Sequence, residues 1–346
     1  MRSDNRIPNI RPMSSSPCGC ENYWFNRCAR YVMESVNEPD YDYNFFSGLT
    51  GDIFAQVYAY GKFRGDGALE YRIGNFGSDT LNRDCIEDVF QTCGYESKVV
   101  LRKDLLKNRE VHLQNLRSSI DKGIPVIEFG YGCDGPPWGL LVGYEDSGNN
   151  LLLITGGKAD PWRVPIETAL ASNWVFVGQK NEQKELRQLY RDIIFNLPKL
   201  LTTKTDAYCF GAEAFRAWAA DIENGRFDGM KPEEFDGWGM HKCYVANLAT
   251  NAHCNSNCGH NFLAKAQELN PDFTFLDAIR AQYRKMHVLW MEQPGENLEA
   301  LGGGFNITLE TLQDKPKREK ITAKIREFAD CADGIVQVLK KDLPSD

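Results

Sequence analysis

The stretch PVIEFGYGCDGPPWGLLVGYEDSGNNLLLIT, residues 125–155, decides the fold. It predicts strands at 124–129, 138–145 and 150–155, because each is a short apolar run bounded by residues that favour turns. The turn at 146–149, Asp-Ser-Gly-Asn, predicts a hairpin between the last two strands, since Gly and Asn tolerate positive φ. Strands that are apolar almost throughout favour a sheet that is covered on both faces.

The segments around this stretch predict more elements of the same domain. Apolar residues at helical spacing predict helices at 21–36, 80–93 and 111–122, and the aromatic segment at 40–51 predicts a loop. A further strand is expected at 174–178. We predict that this strand joins the three others in one mostly antiparallel sheet, which makes the fold class α+β.

The sequence changes character after Gln179, and only helical periods follow. The predicted helices of this half lie at 185–197, 207–224, 243–269, 273–290 and 316–341. We therefore predict a flexible arm at 1–17, an α+β domain at 18–180 and an all-α domain at 181–346.

Composition excludes several classes of protein. The chain has 346 residues and a formal net charge of −8, which argues against nucleic acid or an anionic membrane as a partner. Its 11 scattered cysteines form an odd set, which is typical of free thiols in a reducing cytoplasm rather than of a disulfide framework. The Gly-rich segment 302–304 lacks the Lys-Ser/Thr of a phosphate loop, and no cofactor is predicted.

The order of these elements, with WGLLVGYE at 138–145 and LLLIT at 151–155, resembles the papain-like fold of the bacterial double-glycine leader peptidases. Within that group the chain is most similar to the N-terminal domain of the butirosin biosynthesis protein H family. The helical half, with YCFGAEAFRAWAADI at 208–222, resembles the C-terminal region of the same family. The resemblance covers most of the chain and implies a papain-like domain followed by a helical one.

The resemblance also implies where a catalytic site would lie. Such peptidases use a Cys at the start of the first long helix, whose thiol is activated by a His just before a strand that ends in Gly-Tyr-Asp. Here the nucleophile position falls on Trp24, or on Cys20 if the helix begins one turn earlier. The position of the base falls on Pro137 or Trp138, neither of which accepts a proton. The following acidic position falls near Thr155 or Gly156.

Candidate ligand-binding residues are those that the resemblance or a glycine-rich turn places around this cleft. They are Trp24, Ser47, Gly48, Cys133, Asp134 and Trp138. Gly48 and its neighbours either present backbone N–H groups to a ligand or only let the chain turn. Cys133 and Asp134 either line a pocket or form a rigid turn. We expect Trp138, or Pro137 with it, to face the first helix.

The cluster HCNSNCGH at 253–260 is the densest group of metal-ligand side chains. Cys254 and Cys258 are four residues apart and would share a helix face, and together with His241 or His260 they could hold zinc. No second donor pair has the usual spacing, so we predict no metal site and treat a cysteine-lined helix contact as the alternative.

Three hypotheses for function follow. The first is a papain-like protein without peptidase activity, which binds a small molecule or peptide in the interdomain cleft. The second is a transferase that moves an acyl group from an acyl donor through Cys20, as the resemblance to the butirosin family implies. The third is an interaction or structural protein that forms a homodimer through its helical half.

Overall fold

A computed structural model describes most of the chain. The described residues are 3–8, 10, 24–51, 53–54, 56–60, 85–129, 138–155, 160–204, 206, 208–235, 257–304 and 307–343. Contacts divide the chain into two compact units, which are described separately below. The first unit consists of Met1–Ser47 with Asp84–Glu185, and the second of Gly48–Arg83 with Leu186–Asp346.

The first unit is built on a seven-stranded antiparallel sheet. The strands of the described chain are β1 Asn5–Arg6, β2 Val57–Ala59, β3 Tyr95–Val100, β4 Val126–Phe129, β5 Trp138–Glu145, β6 Asn150–Ile154, β7 Trp162–Pro165, β8 Asn173–Lys180 and β9 Tyr208–Phe210. In the sheet the order is β3-β8-β4-β5-β6-β7, and β1 also pairs with β5.

The predicted hairpin is confirmed, because β5 and β6 pair antiparallel with Leu140 opposite Ile154. The expected strands at 124–129 and 174–178 correspond to β4 and β8, and they lie in the same sheet. The structure adds β1, which pairs with Gly143 and Tyr144 of β5 beyond the end of β4. Part of the segment predicted as a flexible arm therefore extends the sheet.

Six helices of the described chain precede the second half. They are α1 Trp24–Ser35, α2 Tyr43–Leu49, α3 Cys85–Thr92, α4 Arg102–Lys107, α5 Arg109–Asp121 and α6 Ile166–Ala169. The predicted loop at 40–51 is wrong, since most of it forms α2. The side chain of Asp42 accepts a hydrogen bond from the Phe45 N–H at 2.8 Å and so caps the first turn of that helix.

Helices cover both faces of the sheet in the first unit. On one face, which we call the α5 face, Leu113 and Leu116 of α5 pack with Val126 and Leu141 of the central strands. Side chains alternate along a strand, so Phe129 of β4 points to the opposite side. There α1 packs on the sheet, and we call this the α1 face. All four residues of β4 are buried, as their apolar run predicts.

The second unit is mainly helical. Its helices in the described chain are α7 Leu186–Thr202, α8 Gly211–Glu223, α9 Asn257–Leu269, α10 Leu276–His287, α11 Leu309–Gln313 and α12 Lys315–Asp342, with a single turn at Pro232–Glu234 and a π-helical turn at Val288–Glu292. The long final helix begins at an N-cap, where the Asp314 side chain accepts a bond from the Lys317 N–H at 3.2 Å. None of the described helices has the length and apolar character needed to cross a membrane.

A small sheet corrects the prediction of an all-α second domain. Strand β2 pairs antiparallel with β9, with Val57 opposite Phe210. The helix expected at 207–224 therefore begins later, at Gly211, after three residues of strand. Gly211 has a φ of 59°, which an L-residue adopts only with strain, and its amide donates to the Gln56 carbonyl at 3.1 Å.

Candidate functional site

The resemblance to papain-like peptidases implies a catalytic group at the start of α1. Phe25, Cys28, Ala29 and Val32 are all fully buried, and their spacing puts them on one side of the helix. Cys28 belongs to the apolar stripe that the sequence predicts for this helix. This side packs on the α1 face of the sheet, through Phe25 against Trp138.

Trp138 begins β5 and stands where the resemblance places the base. Its side chain is only 1% exposed. The indole stacks on Phe129 at a centroid distance of 4.5 Å and meets Phe25 edge to face at 5.2 Å. The ring thus lies beside the first turn of α1, enclosed by aromatic neighbours. Contact with a ligand would require this packing to open.

Cys28 is the described cysteine closest to the position of a papain-type nucleophile in the chain. Its thiol is fully buried and donates to the Gly139 carbonyl oxygen at an S···O distance of 3.7 Å. Burial raises the pKa of this thiol, and the nearby Arg27 charge only partly opposes the effect. A buried neutral thiol is a poor nucleophile, so Cys28 fills the core.

Several candidate residues lie outside the described residues. These are Cys20, Cys133, Asp134, Pro137, His241, His253 and Cys254. For Trp24 and Cys258 the structure describes the backbone, at the starts of α1 and α9. The catalytic role of Cys20 and the pocket role of Asp134 stay predictions.

Ser47 and Gly48 lie in α2 and not in a loop that presents backbone N–H groups. The buried Asn26 amide donates to Ser47 Oγ at 3.1 Å, which ties α2 to α1 within the first unit. Within the second unit, a Cβ at Gly48 would run into the ring of Phe262. These contacts give both residues a role in packing, and their role in ligand binding stays a prediction.

His112 is buried on α5, and its Nε2 lies 3.0 Å from Oδ2 of Asp104. The ring stacks on Phe176 of β8 at 6.5 Å. The pKa of Asp104 is lowered, mainly by a hydrogen bond from Asn108 and also by His112. This pair fastens α4 to α5 in the first unit and has no described thiol as a partner.

His260 is half-buried on α9, and its pKa is lowered, first by burial and then by the charge of Arg280. Within the described residues, no group of three or more His, Cys, Asp or Glu side chains is placed to hold a metal ion. With Cys254 outside those residues, the metal candidates receive no further support.

Glu128 is a further candidate, which none of the sequence motifs indicates. It lies in the middle of β4, opposite Gly139 on β5 and Trp174 on β8, and is 2% exposed. Burial raises its pKa to about 7, and the Ser172 hydroxyl partly lowers it. The signal was present in the sequence, because an acidic residue interrupts an otherwise apolar strand, Val-Ile-Glu-Phe.

Two hydroxyl groups share the surroundings of this carboxyl group. Among the described residues, Glu128 Oε1, Ser172 Oγ and Thr155 Oγ1 are buried without a hydrogen bond of normal geometry. We call these three residues the Glu128 cluster. Glu128 lies in β4, Thr155 directly follows β6 and Ser172 directly precedes β8. Buried polar atoms almost always have a partner, so these three indicate a place for a further polar group. Thr155 is also the position where the resemblance places an acidic residue.

The chain was also compared with known proteins. No protein-family model matches this sequence, and a search of curated proteins finds no match either.

Proposed function

We propose that this chain is a papain-like protein that binds a small molecule or a peptide and does not cleave peptides. The observation that carries the proposal is the packing of Trp138, at the position of the base in the resemblance. An indole N–H donates but does not accept a proton, and this ring is held between Phe129 and Phe25. Proton transfer from a thiol would need a different group there.

The chemistry of the neighbouring residues supports the same proposal. Cys28 is buried, and its raised pKa keeps the thiol neutral. At the acidic position stands Thr155, whose hydroxyl cannot hold an imidazole in place by charge. Aromatic rings supply large apolar contact surfaces, which a ligand reaches at Trp138 only when the packing of its ring opens.

The test is a cleavage assay on the full chain with a panel of peptides, including leader peptides that end in a double glycine. We expect no thiol-dependent cleavage by the wild type. We also expect none after Trp138→His, because the acidic partner is absent as well. Cleavage by the wild type that iodoacetamide abolishes and that Cys20→Ala removes would overturn the proposal.

Binding is tested separately by thermal shift against a library of small polar molecules and short peptides. A ligand that binds only the native state raises the free energy of unfolding by RT ln(1 + [L]/Kd), and with it the melting temperature. We expect at least one compound to give a rise that follows this logarithmic dependence on concentration. A library in which no compound gives such a rise would contradict the binding function.

A further inference from the structure

The Glu128 cluster lies on the α5 face of the sheet, away from Trp138. Glu128 is two residues after Val126, which packs with α5, and alternate residues of a strand share a face. Trp138 stacks on Phe129, on the α1 face. Whatever the Glu128 cluster binds is therefore separate from the aromatic packing at α1.

The register of the strands brings the three residues of the cluster together. Glu128 is paired with Gly139, and Leu140 with Ile154, so Thr155 follows at the position level with Gly139. Gly139 has no side chain, and the Thr155 methyl leans over it, 3.0 Å from where a Cβ would be. On the other side of Glu128, the Ser172 hydroxyl is close enough to the carboxyl group to lower its pKa by hydrogen bonding, although the contact does not have normal hydrogen-bond geometry.

The side chain that completes the surroundings is Trp174, which lies opposite Glu128 on β8. Its Nε1 already donates to the Ala169 carbonyl oxygen at 3.2 Å. The indole N–H is therefore not available to a further group. Aromatic π-systems attract cations, most strongly in the case of Trp.

The unpaired atoms of the cluster decide which chemical group fits. Glu128 Oε1, Ser172 Oγ and Thr155 Oγ1 are all oxygens that can accept hydrogen bonds, and the two hydroxyl groups can also donate one each. An ammonium group has three N–H donors, a positive charge and no acceptor, so it matches the three oxygens and the charge of the carboxylate. A divalent metal ion usually needs more charged or coordinating oxygens than this cluster supplies.

We propose that Glu128, Ser172 and Thr155 bind the ammonium group of a small amine, beside Trp174. This deepens the proposed function and rests on it for the statement that the protein binds a small molecule. The ligand class is a primary amine that is protonated at neutral pH.

Equilibrium dialysis of the full chain with radiolabelled methylammonium chloride tests the site, at constant ionic strength kept by potassium chloride. We expect saturable, stoichiometric binding to the wild type. Glu128→Gln keeps the shape of the side chain but removes its charge, and should weaken binding roughly tenfold or more, as for loss of a hydrogen bond to a charged group. Ser172→Ala and Thr155→Val should each weaken it by a smaller factor.

Glu110→Gln is the matched control, because Glu110 is an exposed residue of α5. It should bind methylammonium like the wild type. Binding that does not saturate, or that is equal in the wild type and Glu128→Gln, would overturn the ammonium site. The carboxyl group would then be only a buried neutral group.

Dialysis and thermal shift together distinguish failure of the ammonium site from failure of the proposed function. If methylammonium does not bind but another small molecule raises the melting temperature of both the wild type and Glu128→Gln, the ammonium site is wrong and the binding function stands. If the wild type cleaves peptides through a thiol, the proposed function is wrong, and the dialysis still decides on the ammonium site.

Discussion

The protonation state of Glu128 affects the stability of the first unit. Burial raises the pKa of its carboxyl group from the ordinary 4.5 to about 7. Because the pKa is higher in the folded state, the folded chain binds more protons than the unfolded chain between these two pH values. The contribution of Glu128 to the free energy of unfolding is therefore most favourable below about pH 4.5, and falls as the pH rises to about 7.

We expect Glu128→Gln to remove this dependence. Without ligand, the variant should be more stable than the wild type above pH 7, by about 3 kcal/mol at most, and the difference should shrink towards acidic pH. Urea unfolding at a series of pH values measures it, with Glu110→Gln as the surface control. An unchanged slope of stability against pH in Glu128→Gln would show that this carboxyl group does not titrate as inferred.

Gly48 is the second residue of this kind, because its lack of a side chain leaves room for the Phe262 ring. A Cβ there would overlap the ring of Phe262 in the second unit. We expect Gly48→Ala to destabilise the protein by about 1–3 kcal/mol, although alanine alone favours a helix. Gly229→Ala is the control, since no atom lies within 4 Å of a Cβ at that position.

The double variant Gly48→Ala with Phe262→Leu distinguishes the clash from other effects. If the ring is the obstacle, a smaller side chain relieves it, and the two changes together cost less than the sum of each alone. Equal stability of Gly48→Ala and the wild type in thermal unfolding would show that the ring moves aside without cost.

At the scale of elements, the central hairpin could be predicted from local sequence. Its strands are continuous apolar runs, and its turn needs residues that adopt positive φ. The structure has such angles at Asp146 (52°), Ser147 (56°) and Gly148 (91°), whereas Asn149, on which the turn prediction also relied, has a φ of −69°. Turn chemistry and apolar runs act between residues close in the chain, so the sequence alone carries this information.

Other elements depend on contacts between distant residues. The strand β1 is only Asn5–Arg6, two polar residues that pair with β5, and no local pattern marks them. The other members of the Glu128 cluster, Thr155 and Ser172, lie directly after β6 and directly before β8, so only the register of the sheet brings them near Glu128. Helix α2, in contrast, has a local signal in the sequence. Asp42 stands directly before the aromatic segment, and Asp is a residue type that caps helices.

The pairing of β1 with β5 depends on Gly143, which has no side chain. A Cβ at Gly143 would lie 2.7 Å from the Asn5 carbonyl oxygen and 2.8 Å from Leu152 Cδ1. Gly143→Ala should therefore push β1 away from β5. The amide of Ile7, which donates to the Val142 carbonyl at 2.9 Å, should then exchange its hydrogen much faster.

Hydrogen exchange measured by NMR follows this amide directly. Gly229→Ala again serves as the control, because it adds a methyl group in open space. If the Ile7 amide keeps its protection in Gly143→Ala, β1 is held by contacts other than its close approach to β5.

At the scale of the whole molecule, the two units do not follow one another simply along the chain. Composition changes near residue 180, and the division by contacts falls close by, between Glu185 and Leu186. Contacts also assign 48–83 to the second unit, where β2 pairs with β9. Each of these strands has three residues, which is too short for an apolar period to reveal.

This division predicts which unit the substitution of Phe54 destabilises. Phe54 precedes the central sheet in the chain, but its ring contacts Phe262 at 5.5 Å and Tyr283 at 5.9 Å, both in the second unit. Phe54→Ala removes a fully buried ring and should destabilise that unit by about 3–5 kcal/mol. The amides of α9 and α10 should then lose protection against hydrogen exchange.

The matched variant is Phe90→Ala, which removes another fully buried ring, one that contacts Phe46 at 6.0 Å in the first unit. It should loosen α2 and α3 rather than α9 and α10. Sequence position alone predicts that both changes loosen the same half of the chain, because both residues precede the central sheet. Contacts predict opposite patterns of exchange. If Phe54→Ala exposes the amides of β4 and β5 and leaves those of α9 and α10 protected, the assignment of 48–83 to the second unit is wrong.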